Sequence, residues 1–362
     1  MRTAIAYETG APLVLEDLPV PAVGERDVRV RLTASGICHT DLTVIDGLSA
    51  LSLPRVIGHE GCGIVEQVGS KVERVKVGDR VLASVSPACN RCWWCLNGLS
   101  NHCELKAVVS STPRFTGRDG QPVPALCGCG TFGEEMVVDE ASVVAVQTDL
   151  PDEQLALLGC GVTTGVGAAL NTAAVTPGSS VSVIGCGGVG QSIVHGARIA
   201  GAATIVAIDL DAGRREAALA AGATHAIDPA DGSTFDQVKA LTDGRGVDFS
   251  FEAVGLHDLI TQAVNLARQA GKVVIVGMPA RETEIVLPAV PTVFSGKQIM
   301  GSVVGGAQIL RDFPRFVKLV ESDRLDLGSM VSHTIGLAYI NEGIDLLRNA
   351  EGVRTVVLNG AS

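Results

Sequence analysis

The sequence predicts an α/β protein that combines a doubly wound parallel sheet with a second, mostly β domain. The chain has 362 residues, which exceeds one ordinary hydrophobic core and favours two domains. Between residues 181 and 277, short β-branched and apolar runs alternate with helical stretches, as in a parallel sheet with helical crossovers. Residues 1–90 instead contain short strand-like runs separated by turn residues, which is typical of a compact β domain.

The turn at residues 185–190 reads GCGGVG and joins a predicted strand at 181–184 to a helix. Gly185, Gly187 and Gly190 fill the spacing G-x-G-x-x-G. The first glycine permits a sharp turn, the second lets backbone approach a pyrophosphate, and the third lets the helix pack on the strand. This arrangement predicts a Rossmann dinucleotide site, with the anion on the N–H groups at the helix start. Because the chain has 43 glycines, a glycine-rich turn with another role is the alternative.

Asp209 follows the next predicted strand, at the position where a carboxylate can accept hydrogen bonds from an adenosine ribose. The same carboxylate would repel a 2′-phosphate, which favours NAD over NADP. Arg214 and Arg215 lie nearby in the sequence and leave NADP as an alternative.

The strand and helix pattern continues beyond Asp209 and sets the expected domain limits. Helices are predicted at 213–221 and 259–267, and strands at 204–208, 225–227, 248–252 and 272–276. We expect an NAD-binding domain at 162–303 and a catalytic domain formed by 1–161 and 304–362, with the site in the cleft between them.

Composition narrows the class of partner. Hydrophobic residues make up 46% of the chain and charged residues 19%, as in a globular protein with a buried core. Aromatic residues are only 3% and the formal net charge is −11, so small molecules are favoured over nucleic acid or a membrane surface. No export signal is apparent near residue 1, and the apolar stretch 155–175 is predicted as a buried helix, so a cytoplasmic protein is expected.

Four of the ten cysteines lie in one polar segment. Cys89, Cys92, Cys95 and Cys103 have the spacing C-x2-C-x2-C-x7-C, which suits a closed tetrahedral zinc site that folds the loop around it. Disulfides and an iron–sulfur cluster are the alternatives.

A second group of candidate ligands is dispersed along the chain. Cys38, His59 and Cys160 could supply three ligands to Zn²⁺ and leave the fourth position open, which marks a catalytic site. Each residue alone also has an ordinary explanation, as a small buried thiol or a core histidine.

Taken together, these motifs resemble the zinc-dependent alcohol dehydrogenases of the medium-chain dehydrogenase/reductase superfamily. The resemblance covers essentially the whole chain and implies a GroES-like catalytic domain beside the Rossmann domain. It rests on Cys38-His39-Thr40-Asp41, Gly58-His59-Glu60, the four-cysteine segment, Gly159-Cys160-Gly161, the 185–190 turn and Gly352-Val353-Arg354-Thr355.

The resemblance implies NAD and two zinc ions per subunit, one catalytic and one structural. It assigns the catalytic zinc to Cys38, His59 and Cys160. Thr40 would pass the substrate proton outward and Asp41 would orient His59. Glu60 is a candidate ligand behind the zinc, with a buried structural carboxylate as the alternative. The coenzyme-binding residues that it implies are His39, Thr164, Gly185, Gly187, Gly188, Val189, Gly190, Asp209, Arg214, Val276, Met278 and Arg354.

The chain also departs from the family pattern. Many members carry a histidine five residues after the first zinc ligand, where this chain has Thr43, so the last step of the proton relay is not assigned. In the branch that oxidises the glutathione adduct of formaldehyde, acids follow the first ligand and an arginine follows the fourth structural cysteine. Residues 47–53 contain no acid and residues 104–107 no arginine, which argues against glutathione as a co-substrate.

The residues that the resemblance places beside the zinc predict an apolar, fairly open substrate pocket, with ordinary core packing as the alternative. They are Val85, Leu126, Cys127, Met278 and Val303. We therefore expect reversible oxidation of primary alcohols, aromatic, allylic or medium-chain aliphatic, to aldehydes with NAD. A dehydrogenase for formaldehyde bound to another thiol is one alternative, and a non-catalytic nucleotide-binding zinc protein is a second. Segment 103–131 is interpreted as a fairly long loop that resembles the loop of dimeric family members, so the resemblance implies a homodimer, with a homotetramer as the alternative.

Overall fold

The computed structural model describes residues 1–360. The strands are β1 (Arg2–Ala6), β2 (Val14–Asp17), β3 (Asp27–Gly36), β4 (Arg55–Val56), β5 (Glu60–Val68), β6 (Arg80–Ala83), β7 (Pro113–Thr116), β8 (Pro122–Pro124), β9 (Glu135–Asp139), β10 (Val143–Ala145), β11 (Ser180–Ile184), β12 (Thr204–Ile208), β13 (His225–Ile227), β14 (Val247–Glu252), β15 (Ala267–Ile275), β16 (Gln298–Gly301), β17 (Val331–Gly336) and β18 (Arg354–Leu358). The α-helices are α1 (His39–Ile45), α2 (Trp93–Leu96), α3 (Leu105–Ser111), α4 (Asp152–Ala156), α5 (Gly161–Gly167), α6 (Gly188–Ala200), α7 (Ala212–Ala221), α8 (Thr234–Ala240), α9 (His257–Leu266), α10 (Ala289–Ser295), α11 (Ile309–Glu321) and α12 (Ile340–Arg348). Short 3₁₀ turns lie at Ser100–His102, Leu126–Gly128, Glu140–Ser142, Leu157–Gly159, Pro229–Asp231, Val304–Gly306 and Leu337–Tyr339, and a π turn at Ala168–Thr172.

The first unit comprises Met1–Cys160 and the chain from Ala307 onward, and is mostly β. Its main sheet has the strand order β10-β6-β5-β3-β18-β17, with β9 also paired to β3. Alternate residues of β3, Val28, Val30 and Leu32, are buried, as expected for a sheet with one face on the core. This unit is the mostly β, GroES-like part of the predicted fold class.

The register of this sheet brings chemically important residues together. Strands β3 and β5 are antiparallel, and Gly36 at the end of β3 lies opposite Glu60 at the start of β5. Strand β18 pairs with the other side of β3, with Val356 opposite Gly36. The residues that follow β3, precede β5 and begin β18 therefore meet at one end of the sheet.

The second unit, Gly161–Gly306, contains a six-stranded sheet with the order β13-β12-β11-β14-β15-β16. All of its neighbouring strands are parallel. The order reverses between β11 and β14, which is the arrangement of a doubly wound sheet with its ligand crevice at the switch point. The predicted fold class is confirmed, whereas the predicted domain limits at 161/162 and 303/304 stay predictions.

The glycine turn between β11 and α6 requires glycine for different reasons at different positions. Gly185 has a φ of +86°, a left-handed conformation that favours glycine. A Cβ on Gly190 would lie 1.8 Å from the carbonyl oxygen of Gly185, so the helix can approach the strand only without a side chain there. A Cβ on Gly187 would meet nothing within 4 Å, so this position leaves open space in front of the turn.

The stretch 155–175, predicted as a buried helix, is mostly buried but is divided into several helical segments. Helix α4 passes into the turn Leu157–Gly159 and α5 begins at Gly161, while Cys160 between them has non-helical angles of φ −146° and ψ −74°. A Cβ on Gly159 would lie 2.9 Å from the carbonyl oxygen of Ala83, so tight packing accompanies the break. Within residues 1–360 no single helix is long and apolar enough to cross a membrane, and only the bent pair Asp152–Gly159 and Gly161–Thr172 passes that test by length and composition.

Two further segments differ from their predicted structure. Segment 103–131, interpreted as a loop, contains α3 and the hairpin β7–β8. The helix predicted to reach residue 267 ends at Leu266, where β15 begins directly and extends to Ile275. Periodicity alone places element boundaries poorly because tertiary contacts decide where a helix stops.

Substituting Gly190→Ala should destabilise the protein by about 1–3 kcal/mol, because the new methyl group collides with backbone that must shift. The midpoint of thermal unfolding should fall accordingly. Gly187→Ala is the matched control and should keep the wild-type midpoint, since its methyl group enters open space. Equal midpoints for the two variants would contradict the packing role of the third glycine.

Candidate active site and metal centres

The carboxylate of Asp41 joins two of the predicted zinc ligands. Asp41 lies in the first turn of α1 and is fully buried. Its Oδ2 accepts a hydrogen bond from the backbone N–H of Cys38 at 2.9 Å, and its Oδ1 lies 2.9 Å from Nδ1 of His59. A carboxylate can only accept, so Nδ1 of His59 carries a proton, and in the neutral ring Nε2 has the free lone pair.

Nε2 of His59 faces a cluster of potential metal ligands. This atom is buried and has no hydrogen-bond partner among the described residues. One ligand atom each from Cys38, His59, Glu60 and Cys160 lies within 4.8 Å of all the others. The pKa of the Cys38 thiol is well below its usual value, first because of its hydrogen bond with Cys160. Two thiols and an imidazole nitrogen that converge in this way are donors that suit Zn²⁺.

Glu60 forms a buried ion pair at the back of this cluster. Glu60 is fully buried, and its Oε2 accepts a hydrogen bond from Nη2 of Arg354, which also donates to the carbonyl oxygen of Ile37 at 3.1 Å. A Cβ on Gly36 would lie 2.2 Å from Glu60 Oε2, so only glycine lets the strand approach the pair. Both interpretations of Glu60, zinc ligand and structural carboxylate, stay predictions, as does the contact of Arg354 with the coenzyme.

No role is predicted from the sequence for Gly36 and Ile37, which begin the first of the polar clusters, at residues 36–41. They lie directly before the Cys38-His39 motif and support the Glu60–Arg354 pair from one side. A glycine immediately before a predicted ligand cluster was the available signal, because it marks a close approach of backbone or side chains.

The predicted proton-transfer residues lie at the start of α1. His39 and Thr40 are exposed, and Thr40 Oγ1 is 3.9 Å from Cys38 Sγ. The hydroxyl of Thr43 donates to the carbonyl oxygen of His39 at 3.0 Å. The hydroxyl of Thr43 is therefore hydrogen-bonded within helix α1.

The four-cysteine segment forms a second ligand cluster. The Sγ atoms of Cys89, Cys92, Cys95 and Cys103 all lie within 4.8 Å of one another. The Cys89–Cys95 and Cys92–Cys103 Sγ distances are 3.9 and 4.0 Å, far beyond the length of a disulfide. Four sulfurs bound 2.3 Å from a zinc ion form a tetrahedron with edges of about 3.8 Å. The cluster therefore fits a closed structural zinc site.

Backbone N–H groups support these sulfurs. Cys89 N–H points to Cys103 Sγ and Cys92 N–H to Cys89 Sγ, both at 3.4 Å. Such donors favour thiolates, and N–H donors are the leading cause that lowers the pKa of Cys92 to about 6. Both tryptophans of the chain, Trp93 and Trp94, pack edge to face on the same segment.

Asp209 is tied to the glycine turn. Its Oδ2 accepts from the N–H of Cys186 at 2.7 Å and its Oδ1 from the N–H of Asp211 at 2.9 Å. Arg215 donates to the carbonyl oxygens of Asp209 and Leu210 and forms an ion pair with Asp228 at 3.0 Å. Arg214 and Arg215 are the two arginines near Asp209 in the sequence. Arg215 is therefore already bound to protein groups.

The remaining predicted coenzyme residues of this unit are spread over the carboxyl ends of its strands and the adjoining helices. Gly188 and Val189 begin α6, Thr164 lies in α5, Val276 follows β15, and Met278 is 78% exposed. Their assignment to the coenzyme stays a prediction.

The predicted substrate-pocket residues differ in environment. Val85 and Leu126 are buried, and Leu126 packs with Leu42 and Phe132 in a core cluster, which favours ordinary core packing for Leu126. Cys127 is half-buried with a φ of +53°, and burial raises the pKa of its thiol while the nearby His59 opposes that shift. Val303 is 40% exposed in the other unit. The pocket assignment stays a prediction.

The fold and the two clusters define a class of protein: a zinc-binding oxidoreductase with a Rossmann dinucleotide site. Two family descriptions match the sequence, "Alcohol dehydrogenase GroES-like domain" over residues 24–148 and "Zinc-binding dehydrogenase" over residues 188–322. The chain belongs to the zinc-dependent alcohol dehydrogenases of the medium-chain dehydrogenase/reductase superfamily.

Individual relatives cover nearly the whole chain. S-(hydroxymethyl)glutathione dehydrogenase from Synechocystis sp. is 37% identical over 98% of this chain and 99% of its own. The crystal structure of benzyl alcohol dehydrogenase from Acinetobacter calcoaceticus has a TM-score of 0.92 at 30% identity, covering 99% of both chains. A zinc-binding dehydrogenase from Sinorhizobium meliloti, bound to NADP, has a TM-score of 0.79 at 26% identity, covering 99% of this chain and 98% of that one.

Substituting Asp41→Ala should weaken zinc at the Cys38, His59 and Cys160 cluster about 10–100-fold, because His59 loses the acceptor that fixes its tautomer. Dialysis against a graded series of chelator concentrations, followed by metal analysis, measures this loss. The Cys89 to Cys103 cluster is the internal control and should retain zinc in the same sample. Wild type defines the range of chelator concentrations at which both zinc ions stay bound. If the Asp41→Ala variant also keeps two zinc ions per chain throughout that range, the role of Asp41 is refuted.

Proposed function

We propose that the protein is an NAD-dependent primary alcohol dehydrogenase whose catalytic zinc is held by Cys38, His59 and Cys160. The observation that carries this proposal is the convergence of these three side chains, with Nε2 of His59 buried and without a hydrogen-bond partner among the described residues. A Cys₂His set with one remaining position is the ligand set known for alcohol dehydrogenases.

Each group of this chain has a defined task in the proposed reaction. A bound zinc ion supplies Lewis-acid chemistry, and NAD accepts the hydride. Asp41 holds the His59 ring and the Cys38 backbone in place, which keeps two ligands oriented before any metal arrives. Thr40, exposed and 3.9 Å from Cys38 Sγ, carries the alcohol proton toward solvent. The buried Glu60–Arg354 pair keeps a carboxylate behind the cluster.

NAD is proposed over NADP because Asp209 presents a carboxylate beside the glycine turn. Arg215, which could have neutralised that charge, is bound to Asp209 and Leu210 carbonyl oxygens and to Asp228. The relative from Sinorhizobium meliloti is bound to NADP, so NADP is the alternative coenzyme.

Aromatic and medium-chain primary alcohols are the proposed substrates. The benzyl alcohol dehydrogenase supports this choice by its fold and its coverage of the whole chain. Val85 and the half-buried Cys127 support an apolar site, since neither introduces charge. S-(hydroxymethyl)glutathione, or formaldehyde on another thiol, is the second candidate, because a relative of that activity is 37% identical.

We infer that the chain forms a homodimer in the cytoplasm, with a homotetramer as the alternative. Strand β16 is the last strand of its sheet, and such an edge offers backbone groups to a second chain. Helix α10, which contacts β15, exposes Val293 and Phe294 at 76% and 82%. Among the described residues, none of the ten cysteines forms a disulfide, which supports a reducing compartment.

The purified enzyme should reduce NAD with benzyl alcohol and medium-chain primary alcohols when no thiol is added. Steady-state kinetics over aliphatic, allylic and aromatic alcohols, and over formaldehyde with glutathione or other thiols, distinguishes the two candidates. Turnover only with a thiol and formaldehyde would establish the second candidate. No NAD reduction with any of these substrates, at full zinc content, would favour a non-catalytic zinc protein.

Cys160→Ala should abolish alcohol turnover, at least about 1,000-fold in kcat/KM, because the catalytic metal loses one of three ligands. Affinity for NADH should survive, since the coenzyme binds the glycine turn. Cys129→Ala is the matched control: this buried thiol contacts the carbonyl oxygen of Ser84 and lies outside both clusters. Unchanged turnover in the Cys160 variant would refute the site.

Substituting Asp209→Asn should raise the NADP to NAD ratio of kcat/KM at least about tenfold, because the charge that repels a 2′-phosphate is removed. The amide keeps an oxygen that can accept the Cys186 N–H, so the turn is preserved better than in Asp209→Ala. Ratios equal to wild type in both variants would remove Asp209 from coenzyme selection.

A further inference from the structure

A second buried carboxylate lies at the switch point of the parallel sheet, far along the chain from both cysteine clusters. Glu252 is the last residue of β14 and is fully buried. In register it lies beside Ile184, the residue before the glycine turn, and beside Ile275 at the end of β15. It is thus surrounded by the strand ends from which a doubly wound fold contacts its dinucleotide.

The side chain of Glu252 binds the loop that follows its own strand. Oε1 accepts the N–H of Val254 at 2.8 Å and the N–H of Gly255 at 2.7 Å. Oε2 is buried and has no hydrogen-bond partner among residues 1–360, and no ion pair to Glu252 is present in that range. Burial raises the pKa of this carboxyl, while the N–H groups of the loop lower it.

The backbone of Glu252 binds a second loop. Its carbonyl oxygen accepts the N–H of Val276 at 2.8 Å and the N–H of Gly277 at 3.0 Å. One residue therefore anchors both loops that leave β14 and β15, with its side chain holding the first and its main chain holding the second.

These loops contact the glycine turn and each other. A Cβ on Gly185 would lie 2.3 Å from Val254 Cγ2, so Val254 packs directly on the first glycine of the turn. A Cβ on Gly255 would lie 2.4 Å from the carbonyl oxygen of Met278. The segment held by the Glu252 carboxylate thus fills the space between the turn and the loop after β15.

Burying the Glu252 carboxylate costs desolvation free energy, which the hydrogen bonds from the N–H groups of Val254 and Gly255 offset in part. Perturbed buried acids cluster at functional sites, and here the groups that it holds are the ones that face a dinucleotide.

We propose that Glu252 is a positioning residue for the coenzyme. Its carboxylate fixes residues 253–256 against Gly185 and Met278, so that the glycine turn at 185–190 already has its binding conformation before the dinucleotide binds. This inference rests on the proposed function, since it assumes that the turn binds NAD. A preformed site spares the coenzyme the ordering of these loops, which strengthens binding without a direct contact.

Binding of NADH to the purified full chain tests this role without catalysis. The nicotinamide fluorescence titration gives the dissociation constant, and thermal unfolding of the coenzyme-free protein gives stability. Glu252→Leu removes both acceptors at similar size and should weaken NADH at least about tenfold, because two buried N–H groups lose their partner. Glu252→Gln keeps an acceptor oxygen and should stay within about threefold of wild type.

Asp248→Asn is the matched control on the same strand. Asp248 accepts from the N–H and hydroxyl of Ser180 and from Arg268, at the opposite end of β14 from the turn. This variant should lower the unfolding midpoint while the NADH dissociation constant stays at the wild-type value. If NADH binding depended only on general stability, it would be weakened equally in Glu252→Leu and in Asp248→Asn.

Wild-type affinity in Glu252→Leu would overturn the inference, and so would equal weakening in Glu252→Leu and Asp248→Asn. If the leucine variant does not fold, Glu252→Asp decides, because it retracts the carboxylate by one methylene group and should weaken NADH about threefold or more. Wild-type affinity in that variant would overturn the inference as well. A wild-type protein that binds no NADH would refute the proposed function itself, and the inference with it.

Discussion

One carboxylate organises the candidate metal site at the end of the main β sheet. Asp41 accepts the backbone N–H of Cys38 with one oxygen and faces Nδ1 of His59 with the other, and it is fully buried. A buried carboxylate is stable only when its oxygens are satisfied, so its two partners are fixed with it. Both partners supply candidate zinc ligands. The free lone pair of His59 Nε2 is therefore a consequence of where Asp41 lies.

The sheet register makes this arrangement possible. Cys38 follows β3 and His59 precedes β5, and these two strands are antiparallel with Gly36 opposite Glu60. The same register sets Glu60 against Arg354 at the start of β18. Breaking one member of such a buried pair leaves an unpaired charge, so the strand pairing and the ion pair support each other.

The Rossmann unit also has a buried carboxylate, at the carboxyl end of strand β14. Glu252 ends β14 and Asp41 lies in the first turn of α1, and each accepts hydrogen bonds from backbone N–H groups in or next to its predicted site. In both units a buried acid thus orders the segment next to a predicted ligand or coenzyme contact. The physical reason is that a carboxylate can accept several N–H bonds at once, whereas other short side chains accept fewer.

The sequence alone determined the features that depend only on the spacing of residues near one another in the chain. The Cys89 to Cys103 pattern, the glycine turn and the alternation of strands and helices are read within a few tens of residues, because each needs only neighbours along the chain. The tertiary structure decided what depends on distant partners. In the folded protein the predicted helix is interrupted at Cys160, the Thr43 hydroxyl donates to the carbonyl oxygen of His39, and Arg354 pairs with Glu60. The tertiary structure also buried Glu252 among strand ends, because strand register brings together residues that no sequence window contains.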